Sequence, residues 1–126
     1  MTTLPEMASQ AWENRVGPCI LTTVDTSGKP NTIYVTCVHK RSDEQIVVAD
    51  NKMHKTRQNI RDGCPVSLLY ITKEEKAFQI KGSVSYHAAG EIYEEMKNGW
   101  LKKKYPGNAA VVIHVEEVYS GAEKLA

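Results

Sequence analysis

The sequence predicts a mainly β domain: a six-stranded antiparallel sheet closed into a small barrel, with two or three short helices. Three observations predict it. β-Branched runs recur along the chain, among them CILTTVD, EQIVVAD and NAAVVIHVEEV. Most runs are separated by short polar or Gly/Pro turns and not by crossover helices, which selects antiparallel pairing. The chain has 126 residues, enough for one domain. A sheet of that size hides its edges most economically by closing on itself. The strand pattern alone is equally compatible with a sandwich.

Each element has its own signal. Thr3 and Glu6 have the spacing of a capping box, and Met7, Ala8, Ala11 and Trp12 share one helical face. A short helix is therefore expected to end near Gly17 and Pro18. CILTTVD (19–25) and NTIYVTCVHK (31–40) form a hairpin across TSGKP, whose Gly and Pro supply the turn. EQIVVAD (44–50) is a third strand after the polar turn RSDE, and a short helix then ends at Gly63, a left-handed cap. PVSLLYIT (65–72) and AFQIKGSVSYHA (77–88) pair across KEEK, with Gly82 a candidate bulge. In GEIYEEMKNGWLKKKYPG (90–107), Ile92, Met96 and Trp100 stand four apart, an amphipathic helix closed by Pro106 and Gly107. NAAVVIHVEEV (108–118) is the last strand and YSGAEKLA a loose tail. No linker or repeat divides residues 1–126, and Trp12 and Trp100 are expected to plug the barrel ends.

Composition excludes more than it selects. The formal net charge is +1, which argues against nucleic acid as a partner. The longest apolar runs, VSLLYI and AAVVI, are too short to cross a membrane, and MTTLPEMASQ lacks the pattern of a signal peptide. Three widely spaced cysteines suggest neither a disulfide framework nor a zinc knuckle, so a reducing cytoplasm is expected. Cys37 reads as a small buried hydrophobe, the four histidines lack metal-ligand spacing, and Lys102, Lys103 and Lys104 read as a solvated helix end.

The segment NKMHKTRQNIRDG (51–63) carries the chemistry. Lys52, His54, Lys55 and Thr56 collect where a strand gives way to a helix. Unpaired amides and the positive dipole end attract phosphate at such a place. Taken alone, the same residues also fit a solvated basic face with Thr56 as a plain N-cap. A glycine-rich nucleotide loop is not part of the pattern.

The element order, together with IVVADNKMHKTRQNIRD, GKPNTIYVTCV and AFQIKGSV, resembles the FMN-binding split-barrel family over residues 12–118. That family includes pyridoxamine 5′-phosphate oxidase and small bacterial FMN-binding proteins. The resemblance implies a split barrel that holds FMN at a homodimer interface. Lys55 and Thr56 match positions that contact the FMN phosphate, with His54 where the oxidase branch carries an arginine; a histidine is a pH-dependent substitute. Ala49, Asp50, Asn51 and Lys52, leading into Met53, match the segment whose backbone lies along the flavin ring. Tyr34, Val35 and Thr36 match positions flanking the ring, and Gln79 and Lys81 resemble a strand reaching the cofactor from the partner subunit. Trp100 or Tyr105 is placed to stack near a partner's flavin. The true oxidase ends in an arginine- and histidine-containing segment, whereas EEVYSGAEKLA has no arginine, so pyridoxamine phosphate oxidation is not expected. The resemblance implies a small FMN redox protein, oxidoreductase or electron carrier, served by NAD(P)H or a redox-protein partner. The flavin itself performs such chemistry, so no catalytic acid, base or nucleophile is nominated. A non-catalytic module binding FMN or a heme-type ligand is the alternative.

Overall fold

In the computed structural model, which describes residues 2–126, the chain runs α1 (Glu6–Glu13), β1 (Cys19–Val24), β2 (Pro30–Val35), β3 (Val38–Ser42), β4 (Gln45–Asp50) and α2 (Lys55–Arg61). It continues with β5 (Val66–Ile71), β6 (Ala77–His87), α3 (Glu91–Glu95), β7 (Ala109–Ser120) and β8 (Glu123–Lys124). Every strand pairing is antiparallel. The sheet order is β2-β1-β5-β6-β7-β4-β3, with β8 added to β7. The two ends of this path, β2 and β3, are consecutive in the chain, separated only by Thr36 and Cys37. Three Cα–Cα steps span at most about 11 Å, so the two edges of the sheet have to meet there. The sheet therefore curls into a split barrel.

Burial on both faces of the central strands fixes the register. In β1, Cys19, Leu21 and Thr23 point inward and alternate with half-exposed residues. In β7, Val111, Ile113 and Val115 enter the main core, but the next core residue is Val118, three positions on. The phase slips because Lys81 pairs with Glu117 while Gly82 pairs with Val115, leaving Glu116 as an extra residue. Gly82 is needed at this bulge, since a Cβ there would lie 1.9 Å from the His114 carbonyl oxygen. On the opposite face of β4 and β7, Val47, Ala49, Ala110 and Val112 pack against Met96 and Leu101 in a second core. At the barrel's far side Trp12 packs edge-on to Tyr70 at 5.1 Å, and the Tyr70 hydroxyl donates to the Ala8 carbonyl at 2.8 Å.

Several expectations are corrected. Among the described residues the strands number eight instead of six, because NTIYVTCVHK breaks at Thr36 and Cys37 and the tail returns. The Leu125 amide donates to the Val118 carbonyl at 2.7 Å, and Leu125 and Ala126 pack on the main core, so the C-terminus is no loose tail. α1 stops at Glu13, and Pro5 holds its N-cap with no side-chain hydrogen bond, so the Thr3/Glu6 capping box does not form. The late helix is shorter than 90–107: α3 passes into a π-helical turn, Met96–Trp100, closed by the Leu101 amide on the Met96 carbonyl. Trp100 is half-buried and stacks on His39 at 5.1 Å instead of plugging an end. The Gly82 bulge and the Gly63 cap, with φ of +90°, form as expected. Gly82→Ala should destabilise the fold by about 3 kcal/mol, read as a lower denaturant midpoint, because a backbone carbonyl has no rotamer with which to yield.

Candidate functional site

A cavity of about 760 Å³ opens where the barrel splits, within the size range of small-molecule sites. Its wall is the end of β2 and the join that follows: Asn31, Ile33, Tyr34, Val35, Thr36 and Cys37. Its floor is the end of β4 and the turn into α2: Ala49, Asn51, Lys52, Met53, His54, Lys55 and Thr56. Lys104, Tyr105 and Pro106 form the opposite rim. The topology brings these pieces together. Val38 pairs with Val48, and the Ala49 amide donates to the Cys37 carbonyl at 2.9 Å, which sets the β4–α2 turn beside the β2–β3 join.

Of the residues expected at the site, Asp50, Gln79 and Lys81 lie outside this lining. Gln79 accepts from the Ser67 hydroxyl at 2.5 Å, and Lys81 lies over the Tyr119 ring at 4.9 Å, both away from the chain's own cavity. Asp50 is fully buried and its carboxylate faces α2 and β6. It accepts from the Met53 amide at 3.0 Å, Arg57 Nε at 2.7 Å, Arg57 Nη2 at 3.1 Å and the Tyr86 hydroxyl at 2.7 Å. Burial pushes the Asp50 carboxyl up, but the bonds from Arg57, Tyr86 and the Met53 amide outweigh it and hold the group below its ordinary range. The same pairing drives the Arg57 guanidinium upward.

Neighbouring bonds hold the turn from its other side. Asn51 Oδ1 accepts from the Gly107 amide at 3.0 Å, and Asn108 Nδ2 donates to the Asn51 carbonyl at 3.1 Å. Thr56 is buried, not outward-facing, and its hydroxyl accepts from Asn31 Nδ2 at 2.9 Å. Thr56 also lines the cavity, and a hydroxyl that accepts one bond can still donate another. The N-cap of α2 is His54, without a side-chain cap bond, so Thr56 is not the cap. Lys55 is half-exposed and 4.0 Å from Asp25, a loose pair that leaves its charge free for another anion. α2 has only seven residues, so the positive character of this corner comes chiefly from side chains.

Asn31, Ile33 and Pro106 carry no sequence signal of their own as site residues, whereas Cys37 reads as facing either the core or the ligand and Lys104 belongs to a run for which phosphate binding is the lesser reading. Lys104 lies in the run read as a solvated helix end, and the Pro106–Gly107 stop signal is what returns this segment to Asn51. Cys37 is half-buried and stands between the cavity and a side pocket of about 240 Å³ that also contacts Trp100, Lys102 and Tyr105. Among the described residues, no group of three or more His, Cys, Asp or Glu side chains is placed to hold a metal ion. No described helix is long and apolar enough to cross a membrane.

A split barrel with a cationic cavity at its strand-to-helix corner defines a class, and comparisons with known proteins agree with it. The family described as pyridoxamine 5′-phosphate oxidase matches residues 6–123, so the chain belongs to that family. An uncharacterized protein of Methanocaldococcus jannaschii is 30% identical over 122 residues, covering 93% of this chain and 80% of that protein. The HupZ structure from Group A Streptococcus superposes with a TM-score of 0.84 at 21% identity, covering 98% of each chain. An FMN-binding protein from Syntrophomonas wolfei superposes with a TM-score of 0.74 at 18% identity, covering 89% of this chain and 81% of that one. These structural likenesses establish the shared fold.

The Asp50 network makes stability depend on acid. A carboxyl held below its ordinary value of 3.8 contributes stability that is fully present above that value. The contribution is lost as pH falls through the depressed folded value. Denaturant midpoints measured from about pH 5 down to about pH 2 should fall steeply for the native chain and less steeply for Asp50→Asn.

Proposed function

We propose that the protein is a small FMN-binding redox protein, with the flavin in the cavity at the barrel's split. The observation that carries this reading is the convergence of Tyr34, Val35 and Thr36 with residues 49 and 51–56 on one cavity of about 760 Å³. The family membership and the FMN-binding name of the Syntrophomonas wolfei neighbour support it. The donor chemistry fits: Lys55, His54 and the Thr56 hydroxyl suit a terminal phosphate, and the turn amides at Asn51 and Lys52 suit the polar edge of a ring. FMN, when bound, supplies hydride and single-electron chemistry, and the side chains bind, orient and exclude water. NAD(P)H or a redox protein is the proposed electron partner. Three unpaired cysteines fit a reducing compartment such as the cytoplasm.

We further propose a homodimer. Tyr34, Ile20, Leu69, Gln79 and Tyr119 are successive cross-strand partners, forming one row across the outer face of β2, β1, β5, β6 and β7. Tyr34 is 74% exposed and Leu69 37%, which is unusual for apolar side chains in such a row. Tyr34 belongs to both the row and the cavity, so a second copy seated on this face reaches the flavin site. Gln79 and Lys81 lie on that face and would serve the neighbouring cavity.

Purification with added FMN, a visible spectrum and anaerobic addition of NADH and NADPH test the redox reading. A yellow protein bleached by either donor is expected, and a colourless one overturns it. A bound flavin that neither donor reduces points to the non-catalytic module. Lys55→Ala combined with Thr56→Val should weaken FMN binding by about 2–4 kcal/mol, measured by fluorescence titration. Valine keeps the shape of the buried site. Leu69→Lys should yield single chains in sedimentation and lose flavin together with the dimer; a flavin-loaded monomer contradicts the shared site.

A further inference from the structure

Asp50 does not line the cavity, yet its carboxylate is heavily bonded to the turn and helix that do. We infer that Asp50 is the positioning residue that makes this corner select a phosphorylated flavin over riboflavin, an inference that rests on the FMN reading. Four donors from three places converge on it: the Met53 amide in the turn, two guanidinium nitrogens of Arg57 on α2, and the Tyr86 hydroxyl on β6. Lys55 and Thr56 lie between Met53 and Arg57, so both flanks of the cationic segment are tied to one buried anion. The Arg61 guanidinium lies over the Tyr86 ring at 5.5 Å and backs the hydroxyl donor.

The arrangement separates two tasks. The phosphate end of the cavity depends on residues 53–57, whose direction the carboxylate sets. The ring end depends on the turn backbone beside Asn51 and on Tyr34, Val35, Thr36 and Tyr105, none of whose side chains bonds the Asp50 carboxylate. The segment before β7 meets Asp50 only through its main chain, the Asn108 amide donating to the Asp50 carbonyl at 2.8 Å, a bond that a side-chain substitution leaves in place. Asparagine in place of Asp50 keeps the volume but offers one acceptor oxygen and turns an amide donor toward the guanidinium. The first turn of α2 is then free to shift, moving Lys55 and Thr56 off the phosphate while leaving the ring wall intact. Arg57→Lys keeps the charge and loses the two-pronged bond.

The experiment is a pair of fluorescence titrations, with FMN and with riboflavin, on the wild-type chain, Asp50→Asn and Arg57→Lys, each checked by circular dichroism and melting. The wild type should prefer FMN. Each variant should lower the ratio of FMN to riboflavin affinity by roughly tenfold or more, while riboflavin binding changes by less than about threefold. If a folded variant keeps the ratio, or loses both ligands in parallel, Asp50 is only a structural anchor and the inference fails. If Asp50→Asn does not fold, Arg57→Lys alone decides. A wild type that binds flavin without preferring FMN removes the phosphate assignment itself, which is distinguishable because no variant is needed to see it.

Discussion

Two residues, Thr36 and Cys37, set the shape of this molecule. They join strands that occupy opposite ends of the sheet path, and so short a connection forces the two edges together. β3 then runs back antiparallel to β4, which brings Ala49 against Cys37 and the β4–α2 turn against the end of β2. The cavity is thus a consequence of topology, the place where the barrel is pulled shut by chain connectivity but not by strand pairing. Loop-borne side chains at such a seam are held by a rigid sheet and still face solvent, which is where binding residues concentrate.

The parts of the fold legible in the sequence are those written in side-chain pattern. Alternation in CILTTV marks β1, and the spacing from Val115 to Val118, opposite Gly82, already contains the bulge. What the sequence does not display is held by groups common to every residue. Nothing in NTIYVTCVHK signals a break, since Thr36 and Cys37 suit a strand; they leave the ladder because Val35 is the last partner of β1 and Val38 the first of β4. The polar tail folds back through main-chain bonds to Val118, which its composition does not advertise. Pro5 displaces the expected capping box because a fixed φ suits the entry to α1 whatever hydroxyl precedes it.

The site divides in the same way. Residues 49–56 are contiguous, so a strand-to-turn-to-helix reading captures them together. Tyr34, Val35 and Thr36 follow from the order of motifs. Lys104, Tyr105 and Pro106 come from half a chain away, delivered by Asn51 to the Gly107 amide, a contact with no sequence signature. Side-chain direction is equally hidden. Thr56, expected at the phosphate or as a plain N-cap, is buried on Asn31, and Asp50, expected in the segment along the ring, turns its side chain away from the cavity and is wholly enclosed.

That enclosure bears on why a protein of net charge +1 gathers cations at one corner. A surface meant for a polyanion spreads many cations along a track, because affinity scales with the number of phosphates neutralised. Here Lys52, His54, Lys55 and Lys104 ring a single concavity, and the arginine nearest to them is spent on Asp50. Breaking such a pair at one partner is costly because the other charge is left uncompensated, but replacing the whole pair by apolar residues of the same volume can leave the fold as stable. What the pair contributes is direction. By removing one mobile positive charge from the corner and fixing the turn that carries the others, it exchanges strength of attraction for geometry, which is what the proposed phosphate site requires.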